Sequence, residues 1–114
     1  MRKRNLEAEL ITEGVLHTPR LREAWKKIHR EDFLPASLIG EAALNAPLPI
    51  GYGQTISQPY TVAFMLELLC VDDGNTVLDV GSGSGWQTAL LAELVGEEGR
   101  VYALERISSL KEFG

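Results

Sequence analysis

The chain has 114 residues, 45% of them hydrophobic and 24% charged, which suits one globular domain with a modest core. Its net charge of −5 excludes the overall basicity that advertises a nucleic-acid partner. The charge is uneven, since residues 1–30 hold eight Lys/Arg against four Asp/Glu and the remainder three against twelve. The basic end reads as a solvated face on two helices or as a surface for acidic partners. Cys70 is the only cysteine, so neither an intrachain disulfide nor a cysteine metal cluster can form, and a reducing, cytoplasmic setting fits. Met1-Arg2-Lys3-Arg4 looks like the start of a signal peptide, but Asn5-Leu6-Glu7-Ala8-Glu9 follows instead of an apolar run. No stretch approaches the roughly 20 apolar residues of a membrane span, so no membrane partner is expected.

In chain order, residues 5–13 read as a helix with Leu6, Leu10 and Ile11 on one side. Thr18-Pro19 is a helix start, with the hydroxyl as N-cap and proline at the first helical position. In the helix that follows, Leu21, Ala24, Trp25 and Ile28 form one apolar stripe, which makes Trp25 a core residue. His17 and His29 lack metal-type neighbours and read as surface or structural; no metal site is expected. Residues 31–57 read as mostly irregular, with Pro35, Pro47 and Pro49 as punctuation and a flexible Gly51-Tyr52-Gly53. A long irregular segment in a compact domain is usually disordered or functional, and its aliphatic and aromatic content argues against disorder. Ser57 then caps a helix, with Pro59 in its first turn and Val62, Met65, Leu66 and Leu69 as its buried stripe. Asp72-Asp73-Gly74 is the turn into a strand. The division is therefore a helical and irregular segment over 1–57 and a strand–helix–strand unit over 58–114.

That unit carries the most informative pattern. Thr76–Val80 reads as a buried strand, Gly81-Ser82-Gly83-Ser84-Gly85 as a loop, Trp86–Val95 as a helix, and Arg100–Leu104 as a second strand ending at Glu105. Alone, five such residues are compatible with any flexible turn. In this order they match the way α/β proteins hold an adenosine-containing ligand. Glycines allow a sharp turn and close approach. The helix start offers N–H groups and partial positive charge. Glu105 can accept hydrogen bonds from ribose hydroxyls. A dinucleotide fingerprint wants a third glycine where Trp86 stands. An indole there would keep a pyrophosphate away, so S-adenosylmethionine, with ribose and adenine but no phosphate, suits the spacing better.

Pro47-Leu48-Pro49-Ile50-Gly51-Tyr52-Gly53-Gln54-Thr55-Ile56-Ser57-Gln58-Pro59-Tyr60 closely resembles the signature region of protein-L-isoaspartate O-methyltransferases. Val77–Ala92 resembles that family's first cofactor motif and Val101–Arg106 its second. The N-terminal helices and Arg30–Pro35 are similar to the family as well. Two departures are mild: Asp79 stands where the family more often has Glu, and Trp86 replaces a usual Tyr. The large departure is length. The resemblance implies the α/β, Rossmann-like fold of S-adenosylmethionine-dependent methyltransferases, of which this chain has the N-terminal helices and the first two parallel strands. It reads as an N-terminal fragment or a truncated frame.

The resemblance implies methylation of the free α-carboxyl of an isoaspartyl residue in a damaged protein. Such a carboxylate is ionised at neutral pH, its reference pKa being ~4. No strong general base is needed, and positioning does the work. The resemblance puts Ser57 beside the substrate carboxylate as a hydrogen-bond donor, although an N-cap role competes for the same hydroxyl. The residues placed at the cofactor are Thr55, Ile56, Ser57, Asp79, Gly81, Ser82, Gly83, Ser84, Gly85, Glu105 and Arg106. Other readings are a non-catalytic cofactor-binding module and another methyltransferase of this fold. A dinucleotide oxidoreductase is disfavoured by Trp86. Both strands are apolar on both faces, as in interior strands of a parallel sheet. Without further strands, one edge would lie open beside apolar surface and invite self-association.

Overall fold

The structure is a computed structural model that describes residues 6–51 and 54–105. The N-terminal basic run, Tyr52, Gly53 and residues 106–114, Arg106 among them, fall outside the described residues. Helix α1 spans Leu6–Thr12 and buries Leu6 and Leu10. Helix α2 spans Pro19–Lys27 and buries Leu21 and Ala24. Two 3-10 turns follow, Arg30–Phe33 and Ala36–Glu41. Strands β1 (Leu48–Gly51) and β2 (Gln54–Ile56) form an antiparallel hairpin. Helix α3 spans Pro59–Leu69. Strand β3 (Thr76–Val80), helix α4 (Trp86–Val95) and strand β4 (Arg100–Leu104) complete the order.

Strands β3 and β4 pair in parallel, with Thr76 opposite Arg100 and Val80 opposite Leu104. The expected strand, helix and strand are therefore present, each with the bounds read for it. Leu90, Leu91 and Leu94 of α4 are buried and meet α2 and the N-terminal elements in one core with Leu10, Leu16 and Val62. At the turn before β4 the backbone passes close to α4. A Cβ on Gly99 would lie 2.3 Å from Val95 Cβ and 2.8 Å from the Asn75 carbonyl oxygen, so only glycine fits.

Several local expectations change. The segment 31–57 is not mostly irregular, since it holds two 3-10 turns and a hairpin. In α3, Val62 and Leu66 are buried together with Pro59 and Ala63, while Met65 and Leu69 are more than half exposed. That helix is apolar nearly all round, so period alone does not choose its buried stripe. Among the described residues only one face of the β3–β4 pair is packed against α4, and Ala103 on that face is exposed. Leu78, Val80, Tyr102 and Leu104 are 61%, 71%, 58% and 55% exposed.

The basic end is not simply a solvated face. Arg20 pairs with Asp72 at 2.8 Å and Asp73 at 2.7 Å and also donates to the Leu94 carbonyl, joining α2 to the far end of α4. Arg30 is buried. Thr18 is the N-cap of α2 by position, but its hydroxyl makes no cap bond. It donates instead to Glu67, which also accepts the Thr18 and His17 backbone N–H groups at 2.8 and 2.7 Å. A carboxylate from α3 thus caps α2 from outside. Burial acts to raise the Glu67 pKa, but the Thr18 hydroxyl, the two amides and nearby His17 outweigh it and hold it below the ordinary value. His17 and His29 are exposed, each near a glutamate. Among the described residues no helix is long and apolar enough to cross a membrane.

Candidate functional site

The glycine loop begins where β3 ends. Gly81 and Gly83 have φ of 73° and 58°, a region that a side chain disfavours. The loop is tied back to the end of β4, since the Gly81 and Ser82 N–H groups donate to the Leu104 carbonyl at 2.7 and 3.1 Å. One residue later Glu105 turns its carboxylate to the loop, and Oε1 accepts the Gly83 N–H at 2.8 Å. The sequence-predicted acid and the glycine loop are therefore adjacent. Gly85 is the N-cap of α4, with φ of 100°.

Beneath the loop, Asp79 is 3% exposed. Its two oxygens accept from Gln87 Nε2 at 3.1 Å and Thr88 Oγ1 at 2.5 Å. The carboxylate fastens the last turn of β3 to the first turn of α4, fixing the angle at which the loop leaves the sheet. Buried polar atoms need such partners. Sequence reasoning found Asp79 but not Gln87 and Thr88. Their place just after the loop, in the first turn of the helix, was the available signal.

The opposite wall comes from the hairpin. Thr55, Ile56, Ser57, Asp79, Gly81, Ser82, Gly83 and Ser84 line one cleft together with Ile50, Val62, Trp86 and Gln87. Eight of the residues placed at the cofactor thus meet; Gly85 and Glu105 adjoin the same loop, and Arg106 lies outside the described residues. Ser57 does not cap α3. The N-cap is Gln58, and the first-turn N–H of Tyr60 donates to Asn45 Oδ1 at 3.0 Å. The Ser57 hydroxyl is therefore released from the role that competed for it, and the residue is exposed on the cleft.

Trp86 differs from expectation. Its indole does not stand across the loop, because it is 3% exposed and packs edge-on against Trp25 at 5.2 Å. It lines the cleft from a buried position instead of projecting across the loop. The residue that sequence reasoning missed is Arg30. Its guanidinium lies 5.3 Å from the Trp86 ring centre and donates to the Ser57 carbonyl at 3.1 Å. Burial lowers its pKa to about 10, so it stays charged at neutral pH. No local pattern marks it, except that a long irregular segment needs donors for its carbonyls.

The chemistry of this donor set fits an adenosine-bearing sulfonium ligand on one side: glycine backbone for close approach, a carboxylate for vicinal hydroxyls, and the buried Ser84 hydroxyl, which has no hydrogen-bond partner among the described residues. Enclosure is partial. The cleft holds only about 60 Å³, far below the roughly 300 Å³ at the lower end of small-molecule pockets. No cluster of three or more His, Cys, Asp or Glu that could hold a metal ion occurs among the described residues.

A parallel pair joined through a glycine loop and helix, with a carboxylate closing back on the loop, defines an α/β protein of the Rossmann-like methyltransferase class. The family model described as Protein-L-isoaspartate(D-aspartate) O-methyltransferase (PCMT) matches residues 1–113. The chain belongs to that family. It is 49% identical over 111 residues to a protein-L-isoaspartate O-methyltransferase of Ignicoccus hospitalis, covering 97% of this chain and 53% of the relative. It is 50% identical over 105 residues to one of Aeropyrum pernix, covering 92% and 40%. Among solved structures, a Plasmodium falciparum PCMT in complex with S-adenosyl-L-homocysteine superposes with a TM-score of 0.84 at 26% identity. That match covers 95% of this chain and 50% of the other. The chain spans about half the length of the relatives it matches.

Proposed function

We propose that this chain forms the cofactor-facing wall of an enzyme that methylates the α-carboxyl of L-isoaspartyl residues in damaged proteins. The observation that carries the reading is the meeting of the glycine loop and the exposed Ser57 at one cleft, with the carboxylate of Glu105 bonded to that loop. S-adenosylmethionine, when bound, supplies an electrophilic methyl group on sulfur. Gly81–Gly85, with Ser84, would receive its polar end near the start of α4. Glu105 would accept from its ribose, since a carboxylate accepts several hydrogen bonds. Arg106 would belong to the same cofactor site. Thr55 and Ile56 would face the ligand from the hairpin, and Asp79 would hold the loop's exit angle.

Ser57 would donate to the isoaspartyl carboxylate and orient one of its oxygens toward the methyl group. Little else is asked of the protein chemically, because this nucleophile is already ionised at neutral pH. The partners are therefore isoaspartyl proteins or peptides, in the cytoplasm, where an unpaired cysteine is at home. A second reading applies to the 114-residue chain by itself: it binds the cofactor without turnover. The small cleft and the bare sheet face favour it.

Calorimetry with S-adenosylhomocysteine and with NAD tests the ligand. Tighter binding of NAD, or no difference, would end the methyltransferase reading. Glu105→Ala should weaken S-adenosylhomocysteine binding by roughly 1–3 kcal/mol through loss of a charged acceptor; unchanged affinity removes Glu105 from the site. In an active, full-length enzyme with these residues, Ser57→Ala should lower methyl transfer to an isoaspartyl peptide with cofactor affinity nearly intact. Parallel loss of both would show that Ser57 serves the cofactor.

A further inference from the structure

We propose that Arg30 is the positioning residue of the cleft: its guanidinium locks the Ser57 backbone to the segment Ala42–Ala46 and to Trp86, and so sets Ser57 against the glycine loop. The inference deepens the reading of the cleft given above and rests on it.

The two terminal nitrogens of a guanidinium carry four N–H groups. Here all four meet backbone carbonyls. Nη1 donates to Ala42 at 3.1 Å and Leu44 at 2.8 Å, and Nη2 to Ala46 at 2.7 Å and Ser57 at 3.1 Å. The ring of Trp86 lies against the same group. Arg30 is 5% exposed, and a buried cation is costly unless it is fully paired. Four carbonyl dipoles and an aromatic face supply that pairing at the two terminal nitrogens, while Nε is buried with no hydrogen-bond partner among the described residues.

The geometry brackets Ser57 on three sides. Before it, Ile56 is paired with Leu48 in the hairpin. After it, the Tyr60 N–H is held by Asn45, which belongs to the segment that Arg30 organises. At Ser57 itself the carbonyl is held by Arg30. Trp86 is the first residue after the glycine loop, so one side chain touches both walls of the cleft. The role depends on a planar fork. Lysine has three N–H groups on one nitrogen and cannot serve four carbonyls spread across a plane.

Arg30→Lys keeps the charge and removes the fork. Hydrogen exchange in this variant should quicken about tenfold at residues 42–46 and 54–60, the effect of losing one or two hydrogen bonds. Exchange in α4 should stay within about twofold. The dissociation constant for S-adenosylhomocysteine should rise about tenfold, because the loosened backbone carries Thr55 and Ile56, which line the cleft beside Ser57. Unchanged exchange at 54–60 overturns the proposal, and so does an equal loss of protection everywhere, which marks a purely structural arginine. Loosened exchange with unaltered ligand affinity overturns it as well. Should Arg30→Lys fail to fold, the wild-type chain decides. Urea-dependent exchange should then give amides of 42–46 and 56–60 one shared opening free energy, and separate values overturn the clamp. Failure of the wild-type chain to bind S-adenosylhomocysteine would count against the ligand reading alone, because the exchange pattern is measured without ligand.

Discussion

On one face of the β3–β4 pair, Asp79 is buried under α4 and bonded to two of its side chains. One residue to either side of it, turned the other way, Leu78 opposite Tyr102 and Val80 opposite Leu104 are all more than half exposed. Successive side chains of a strand alternate, so these are the two faces of one sheet. Their composition is similarly apolar, yet only one is covered within the described residues. The covered face holds the loop, the helix start and the cleft. None of the four side chains on the bare face lines the cleft. Burial written into the sequence is thus supplied on the side where the site is built and withheld on the other.

The largest effect should come from the covered side. Leu90 is fully buried in α4. Leu90→Ala should cost about 2–5 kcal/mol from lost transfer energy and a residual cavity. Leu78→Ala, on the bare face, should cost under about 0.5 kcal/mol. Urea denaturation of both variants measures the contrast. Equal losses would mean that the bare face is buried in solution, by association or by further structure.

The same contrast separates what was legible in the sequence from what was not. β3, α4, β4 and the loop between them were readable with their bounds, because β-branched runs and glycines mark each boundary locally. Glu105 was readable from its place at the end of a strand. The hairpin was not, since its strands have only four and three residues and Pro49 argues against a strand except at an edge. The capping assignments failed for a different reason. Thr18 and Ser57 have the right residue types, but Glu67 and Asn45 arrive from distant positions and supply those bonds instead. Arg30 acts through carbonyls up to 27 residues away, and carbonyls leave no trace in composition. What the sequence hides here is the set of tertiary bonds from polar side chains to irregular backbone.

A smaller effect should come from Glu67, at the rim of the covered core. Its folded pKa lies below the ordinary value. The unfolded chain therefore binds the proton more readily, and the carboxylate's contribution is present above the ordinary glutamate range. It is lost as pH falls through that range and through the folded pKa. Glu67→Gln should lower stability by about 1–2 kcal/mol at pH 7 through loss of charge-assisted bonds. The gap between wild type and variant should close as pH drops below about 4. Urea midpoints of the pair across pH 3 to 7 measure it, and a constant gap would show that the capping bonds do not need the charge.

The smallest effect on stability should accompany the clearest effect on association. Leu78 and Tyr102 are register partners on the bare face. Replacing both with threonine keeps strand propensity and removes apolar area. Stability should move by no more than about 1 kcal/mol, since neither side chain is buried. Contiguous exposed apolar surface next to unpaired strand edges favours pairing between copies. The wild-type chain should therefore scatter light as an assembly at concentrations where Leu78→Thr/Tyr102→Thr is monomeric. The driving area lies on the side away from the cleft, so the double variant should bind S-adenosylhomocysteine as the wild type does. A monomeric wild-type chain would show that the bare face is tolerated by water without a partner. Loss of ligand binding in the double variant would show that the two faces are coupled through the strands, and that the division drawn between them is too sharp.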